Sequence, residues 1–234
     1  MVNRLVLLPG MHGTGELFSG FMSRMPEPMQ IEPMHYPTDA SPSYGQLLDA
    51  IRSFVPTSAP YILLAESFST PLAIQFAATN PPNLRGLVLC VGFATSPLRG
   101  WRRSLAALIA PLAFRLPLPK VAVSHFLVGK DAPESLHASV RAAIRSVEPA
   151  VFAARAHQVF SVDARLALSR VSAPILFIQA LQDRLVDESS LAEMRAIKPQ
   201  IKVARIAGPH LILQREPQQA AEVVTSFIQQ LEPD

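Results

Sequence analysis

Residues 61–71, Tyr-Ile-Leu-Leu-Ala-Glu-Ser-Phe-Ser-Thr-Pro, contain the feature that decides the fold of this chain. An apolar run that is typical of a buried strand stops at Ser67, and a helical pattern of apolar residues follows immediately. The residues two before and two after the serine, Ala65 and Ser69, are both small. A strand that turns sharply into a helix between small residues is typical of a nucleophile elbow, which lifts a serine hydroxyl clear of the sheet.

Short apolar runs alternate with helical patterns along most of the chain, and this alternation predicts βα units around a mostly parallel sheet. The predicted strands cover residues 4–8, 31–36, 60–66, 86–92, 174–180 and 201–206. The predicted helices cover residues 15–25, 43–55, 69–79, 187–197 and 217–231. Because Pro33 has no N–H to donate to a neighbouring strand, we place the strand 31–36 at the edge of the sheet.

One long segment interrupts the alternation of strands and helices. Residues 96–165 have a helical pattern, six prolines and no convincing strand. This length is too great for a loop inside a compact domain. We therefore predict a helical cap at 96–165, inserted into an α/β core formed by residues 1–95 and 166–234.

The composition excludes several classes of protein. With 234 residues, 49% of them apolar and only 17% charged, the chain can bury a large core and is not disordered as a whole. The net charge of +3 comes from scattered arginines, so we predict no nucleic-acid partner. No signal segment is visible, and the longest uncharged apolar run, 105–114, is too short to span a membrane. Cys90 is the only cysteine, which fits a reducing compartment, and we expect a cytoplasmic protein.

The loop after the first predicted strand is rich in glycine and reads Leu-Leu-Pro-Gly-Met-His-Gly-Thr-Gly over residues 7–15. Glycines let the backbone turn tightly and leave N–H groups pointing over the edge of the sheet. They do not have the G-x-G-x-x-G spacing of a dinucleotide site, and no clear acidic residue ends the second strand, so we predict no cofactor. We expect His12 to pack within the loop or to contact a substrate rather than to act in catalysis, and we count it among the candidates for substrate binding.

Two further polar residues follow predicted strands. Asp183 comes after the fifth strand and His210 after the sixth. The order Ser, Asp, His at successive strand ends predicts that all three lie along one edge of the sheet, where open α/β folds bind ligands. Asp187 competes for the role of the acid, but it resembles the N-cap of the next helix. The remaining histidines have no partner at metal-ligand spacing, so we predict no metal site.

These residue types suit nucleophilic catalysis. A serine hydroxyl attacks well only when a base removes its proton, and His210 can take that proton and later return it to the leaving group. A carboxylate such as Asp183 can hold the imidazole in the correct tautomer. The backbone N–H groups of Met11 and Phe68 can stabilise the oxyanion that develops on the substrate.

The chain resembles members of the α/β-hydrolase superfamily at four segments. These are residues 7–15, the elbow Ala-Glu-Ser-Phe-Ser at 65–69, Gln-Asp-Arg-Leu-Val at 182–186 and Gly-Pro-His-Leu-Ile-Leu at 208–213. The resemblance implies Ser67 as nucleophile, Asp183 as acid, His210 as base and Met11 as an oxyanion donor. The elbow departs from the family in having alanine and serine in place of glycines. The first predicted strand resembles the family's third, so we expect a sheet without the family's first two strands. The resemblance therefore implies an α/β fold with a mostly parallel six-stranded sheet flanked by helices, plus an inserted cap.

The sequence predicts a serine hydrolase that cleaves carboxylic esters of small molecules through an acyl-enzyme intermediate. Apolar residues of the predicted cap favour small to medium apolar substrates; they are Leu105, Leu108, Ile109, Leu112, Phe114 and Leu116. Leu108, Ile109 and Leu112 are the candidates for substrate contact. Thioesters, lactones and C–C bonds are cleaved by the same triad and stay open as alternatives. A non-enzymatic ligand receptor on the same fold is the alternative from another class. The sequence does not indicate an oligomeric state.

Overall fold

The computed structural model describes residues 2–98, 100–113 and 119–231. Within these residues, six strands form one sheet in which all neighbouring strands are parallel. The strands are β1 Arg4–Leu8, β2 Gln30–Pro33, β3 Tyr61–Glu66, β4 Leu84–Cys90, β5 Ile175–Ala180 and β6 Lys202–Ile206. Their order across the sheet is β2-β1-β3-β4-β5-β6. This confirms the six-stranded parallel sheet predicted from the sequence.

Helices connect the strands and cover the sheet. They are α1 Ser19–Met22, α2 Tyr44–Phe54, α3 Thr70–Ala77, α4 Gly100–Ala113, α5 Lys120–Val123, α6 Glu134–Arg145, α7 Pro149–Ser161, α8 Arg165–Arg170, α9 Glu188–Ile197, α10 Ile212–Arg215 and α11 Pro217–Gln229. Short 3-10 turns occupy 16–18 and 67–69, and a π-helical turn occupies 124–128.

The core has two apolar layers, one on each face of the sheet. Alternate residues of β3 point to opposite faces, so that Leu63 packs with α2 and α3 while Ile62 packs with α11. Because both faces are covered, the central strands have continuous apolar runs, Leu5 to Leu8 in β1 and Tyr61 to Ala65 in β3.

The edge strand β2 confirms the position predicted from Pro33, but it is shorter than the predicted strand 31–36. After Pro33 the N–H of Met34 still donates to Leu7 O at 2.8 Å, and the N–H of Tyr36 then donates to Gly13 O at 2.7 Å. The chain therefore leaves the sheet to bind the glycine-rich loop.

The helix predicted over 15–25 is also shorter in the structure, where it consists of the 3-10 turn at 16–18 and α1. Gly20 within this segment weakens the helical preference of the backbone. The buried side chains of Phe18 and Phe21 hold the segment against the sheet instead.

Between β4 and β5 the described residues form helices α4–α8 and no strand of the sheet. The two ends of this segment lie side by side, because Thr95 and Asp163 form an isolated antiparallel bridge and the N–H of Ala164 donates to Ala94 O at 2.8 Å. Two of the apolar residues predicted for the cap, Phe114 and Leu116, lie outside the described residues. In the described part of the chain, no helix has both the length and the apolar character needed to cross a membrane.

Candidate active site

Ser67 occupies a strained turn at the end of β3. Its φ is +49°, in the left-handed region that residues other than glycine rarely adopt. The chain passes directly from β3 through the 3-10 turn 67–69 into α3, and Thr70 Oγ1 donates to the Ser67 carbonyl at 2.7 Å across this turn. Such strain at a partly exposed polar residue is often found at functional sites.

Asp183, His210 and Ser67 form a continuous chain of hydrogen bonds. His210 Nδ1 lies 2.8 Å from Asp183 Oδ2, and His210 Nε2 lies 2.9 Å from Ser67 Oγ. With the Nδ1 proton donated to the carboxylate, Nε2 is free to accept from the serine hydroxyl. The side chains of His210 and Asp183 are only 5% and 3% exposed, so water is largely excluded from their contact.

The loop after β5 holds the carboxylate of Asp183 in place. Its Oδ1 accepts from the N–H groups of Leu185 at 2.8 Å and Val186 at 3.0 Å, which leaves Oδ2 for His210. Asp187, the competing acid, instead accepts from the N–H of Ser189 at 2.8 Å and caps α9. The interpretation of Asp187 as an N-cap is thus confirmed.

Two backbone N–H groups, those of Met11 and Phe68, are candidates for binding an anionic oxygen. Among the described residues, neither Met11 nor Phe68 donates its N–H to another group of the chain. Met11 lies in the glycine-rich loop after β1, and Phe68 follows Ser67 in the elbow. Free N–H groups in these positions are able to bind an anionic oxygen.

His12 is buried inside the glycine-rich loop. Its Nδ1 accepts from the N–H of Thr14 at 3.2 Å, and its Nε2 lies 3.8 Å from Glu66 Oε2. The carboxylate of Glu66 is fully buried and accepts no hydrogen bond from the described residues. These contacts favour packing within the loop, which is one of the two interpretations that the sequence left open.

Sequence reasoning missed Arg155, which reaches the glycine-rich loop from α7. Its Nη1 donates to Met11 O at 2.7 Å. The only sequence signal is a single arginine within the largely apolar stretch 150–156. Because it binds backbone carbonyls, no particular residue type in the loop could have identified its partner.

The three candidate substrate-binding residues of the cap lie together on α4, and their side chains are largely exposed. The exposed fraction is 78% for Leu108, 51% for Ile109 and 66% for Leu112. They therefore form an apolar surface on this helix.

A cavity of about 340 Å³ lies beside the triad, between the segment 124–131 and the loops that carry Asp183 and His210. Its lining includes His125, Lys130 and Arg184 but none of the triad side chains. Most of the residues that line it have polar or charged side chains.

Cys90 is fully buried, and burial raises the pKa of its thiol well above the usual value, so it is a poor nucleophile. No three His, Cys, Asp or Glu side chains of the described part of the chain come together in a way that could hold a metal ion.

Solved structures with very different sequences share this fold. An esterase from Exiguobacterium antarcticum has a TM-score of 0.84 at 13% identity, covering 97% of this chain and 92% of that chain. An enol-lactonase from Burkholderia xenovorans has a TM-score of 0.80 at 13% identity, covering 98% and 92%. A membrane phospholipase A, a bacterial virulence factor, has a TM-score of 0.80 at 20% identity, covering 98% and 79%. Neither family models nor curated proteins match the sequence. The structural likeness shows that this chain has the α/β-hydrolase fold.

Proposed function

We propose that this protein is a serine hydrolase that cleaves carboxylic esters through an acyl-enzyme intermediate. The observation that carries the proposal is the hydrogen-bonded chain from Asp183 through His210 to Ser67, with distances of 2.8 and 2.9 Å. It ends at a serine on a strained elbow, which is the arrangement that nucleophilic catalysis requires.

In the proposed reaction Ser67 Oγ attacks the carbonyl carbon of the ester while His210 Nε2 takes the hydroxyl proton. Asp183 stabilises the resulting imidazolium through Nδ1 and keeps the ring in place. His210 then returns the proton to the leaving alcohol, which leaves an ester of Ser67. Water enters, His210 removes its proton, and the second attack releases the acid and restores the serine.

The N–H groups of Met11 and Phe68 form the proposed oxyanion hole. Negative charge develops on the carbonyl oxygen during both attacks, and donors that are already oriented stabilise it without reorganisation. Both N–H groups lack other partners among the described residues, which supports this assignment.

We further propose that residues 96–165 form a cap over the site, inserted into a core of residues 1–95 and 166–234. Two contacts near the triad support this: Arg155 donates to Met11 O, and the N–H of Leu211 donates to Leu127 O at 2.9 Å. Leu108, Ile109 and Leu112 of the cap would then contact the acyl group of a small to medium apolar substrate.

We also propose that the protein acts in the cytoplasm, because a single buried cysteine, Cys90, fits a reducing compartment.

Lactone hydrolysis is a second candidate for the same site. A lactone is a cyclic ester, so Ser67 would attack it in the same way and the leaving alcohol would stay attached to the acyl group. The structural likeness to an enol-lactonase over 98% of this chain favours including lactones among the substrates tested.

The test combines active-site labelling with turnover. A fluorophosphonate probe should label wild-type protein at one serine and should not label the Ser67→Ala variant. A panel of p-nitrophenyl esters, thioesters and lactones should then show many turnovers per labelled site. Labelling with a single slow turnover would instead identify a ligand receptor, and labelling that persists in Ser67→Ala would contradict the assignment of the nucleophile.

A further inference from the structure

Arg155 is a buried cation on α7. It is 1% exposed, and no carboxylate of the described residues forms an ion pair with it. Burial lowers the pKa of its guanidinium to about 10, which still leaves it charged at neutral pH. A buried charge is costly unless polar groups compensate it. Its hydrogen-bond partners are backbone carbonyls, Met11 O at 2.7 Å and Pro37 O at 2.6 Å.

Hydrogen bonds hold three consecutive carbonyls of the glycine-rich loop. The Pro9 carbonyl accepts from Ser69 Oγ, the Gly10 carbonyl accepts from the N–H of Gly13 at 2.9 Å, and the Met11 carbonyl accepts from Arg155 Nη1. The Gly10 carbonyl and the Met11 N–H belong to one planar peptide group and point in opposite directions. Holding this peptide and both of its neighbours therefore sets the direction of the Met11 N–H.

The contact between Arg155 and the loop depends on the absence of a side chain at residue 13. Gly13 has a φ of +76°, and a Cβ placed there would lie 2.6 Å from Arg155 Nη1. The loop thus has a glycine at the point where the guanidinium enters.

A second group of side chains connects Arg155 with the elbow. Its guanidinium carbon lies 5.8 Å from the centre of the Tyr36 ring and 6.0 Å from that of Phe68. Ser69 donates to the Pro9 carbonyl and therefore accepts from the Tyr36 hydroxyl, 2.7 Å away. Ser69 stands where related elbows have glycine, so its hydroxyl adds a link between elbow and loop.

We propose that Arg155 and Ser69 are positioning residues that aim the Met11 N–H at the substrate oxyanion, so that helix α7 completes the oxyanion hole. The inference rests on the proposed function, because it assigns to these residues an effect on the transition state of that reaction. Removing either residue should lower kcat and leave KM nearly unchanged, since the oxyanion exists only in the transition state.

The test compares Arg155→Met and Ser69→Gly with the control Arg145→Met. Methionine keeps the apolar stem of Arg155 without its donors, and glycine at 69 matches the sequence of related elbows. Arg145 is exposed at the end of α6 and takes part in none of the hydrogen bonds described for the proposed machinery. With a p-nitrophenyl acetate substrate, both test variants should lose roughly 10-fold or more in kcat, because losing one oxyanion donor costs about 10²–10³. Affinity for an alkyl boronic acid, which forms a tetrahedral anion on the serine, should fall by the same factor.

The proposal would be overturned if both variants melted at lower temperature but kept wild-type kcat and boronate affinity. It would also fail if Arg145→Met reduced kcat equally. Should Arg155→Met not fold, Ser69→Gly alone decides, because glycine fits that position. Failure of the proposed function looks different, since wild-type protein would then neither react with the fluorophosphonate nor turn over esters, and the inference would fall with it.

Discussion

The hydroxyl of Ser67 stands on a backbone conformation that costs serine about 1–2 kcal/mol relative to glycine. The turn tolerates this strain because Thr70 binds the Ser67 carbonyl and because α3 and β3 are both deeply buried. Backbone strain lowers stability, so strain at a polar residue indicates that the orientation of its side chain serves a function.

Removing the proposed nucleophile should abolish the proposed activity. Ser67→Ala should lower turnover of p-nitrophenyl esters by a factor on the order of 10⁶, the loss expected when a Ser-His-Asp triad loses its serine. The melting temperature should change little, because among the described residues the hydroxyl of Ser67 bonds to His210 alone, and alanine leaves the carbonyl that binds Thr70 in place. If a cleanly purified variant kept more than about a tenth of wild-type activity, another residue would have to be the nucleophile.

The two acidic residues after β5 should differ sharply. Asp183→Asn should reduce kcat by about 10⁴, because an amide favours the wrong tautomer of His210. An asparagine oxygen can still accept from Leu185 and Val186, so the loop should stay folded. Asp187→Asn is the matched control, since asparagine caps α9 about as well as aspartate. A larger loss of kcat in Asp187→Asn than in Asp183→Asn would show that Asp187 is the acid.

At the residue scale, the sequence predicted Asp183 and His210, which follow strand ends. It missed Arg155, which binds backbone carbonyls of the glycine-rich loop. Asp183 and His210 could be predicted because parallel strands bring their ends to one edge, so that residue type and strand order are sufficient. Arg155 could not, because it lies on a helix whose distance from the glycine-rich loop depends on how the whole chain packs.

At the scale of elements, the sequence predicted strands correctly where both faces of the sheet are buried. It gave the wrong end for a strand whose last residues bind a distant loop instead of the neighbouring strand. The sequence of β3 is apolar from Tyr61 to Ala65 and the strand is buried along its whole length, which favours a central position in the sheet. By contrast, the predicted strand 31–36 ends early because Tyr36 binds the Gly13 carbonyl, a contact with no local pattern in the sequence.

The glycine-rich loop should depend on Gly13 more than on a glycine elsewhere. Gly13→Ala places a side chain at positive φ and against Arg155, so it should lower the free energy of unfolding by about 2 kcal/mol. The matched control is Gly20→Ala, because the nearest atom to an added Cβ there is Pro217 Cβ at 4.0 Å. Alanine within α1 should be neutral or stabilising by up to about 1 kcal/mol. Urea unfolding of both variants measures the difference, and equal losses would contradict this account of the loop.

At the scale of the whole molecule, helices between β4 and β5 form hydrogen bonds with the loops that follow strands of the sheet. The bridge between Thr95 and Asp163 brings the two ends of this segment side by side. Beyond these ends, Arg155 binds the loop after β1, and Leu127 binds the residue next to His210. The sequence predicted an insertion from its length and prolines, but which loops it contacts depends on how short helices pack.

The exposed apolar face of α4 should set the preferred length of the acyl group. Each buried methylene contributes about 0.8 kcal/mol, a factor of roughly 4 in kcat/KM. Leu108→Ala, Ile109→Ala and Leu112→Ala should therefore reduce kcat/KM for long-chain p-nitrophenyl esters several-fold while sparing the acetate ester. Leu166→Ala is the matched control, because Leu166 is similarly exposed, at 65%, but lies on α8 outside the predicted cap.

The control separates a substrate surface from a surface that serves only packing or solubility. Contact with substrate changes the slope of kcat/KM against chain length, whereas a stabilising role changes the melting temperature and leaves that slope as it is. If all three α4 variants kept the wild-type slope, or if Leu166→Ala changed it equally, α4 would not bind the acyl group. The proposed preference for apolar substrates would then lose its main support, and any preference for acyl-chain length would have to come from other residues.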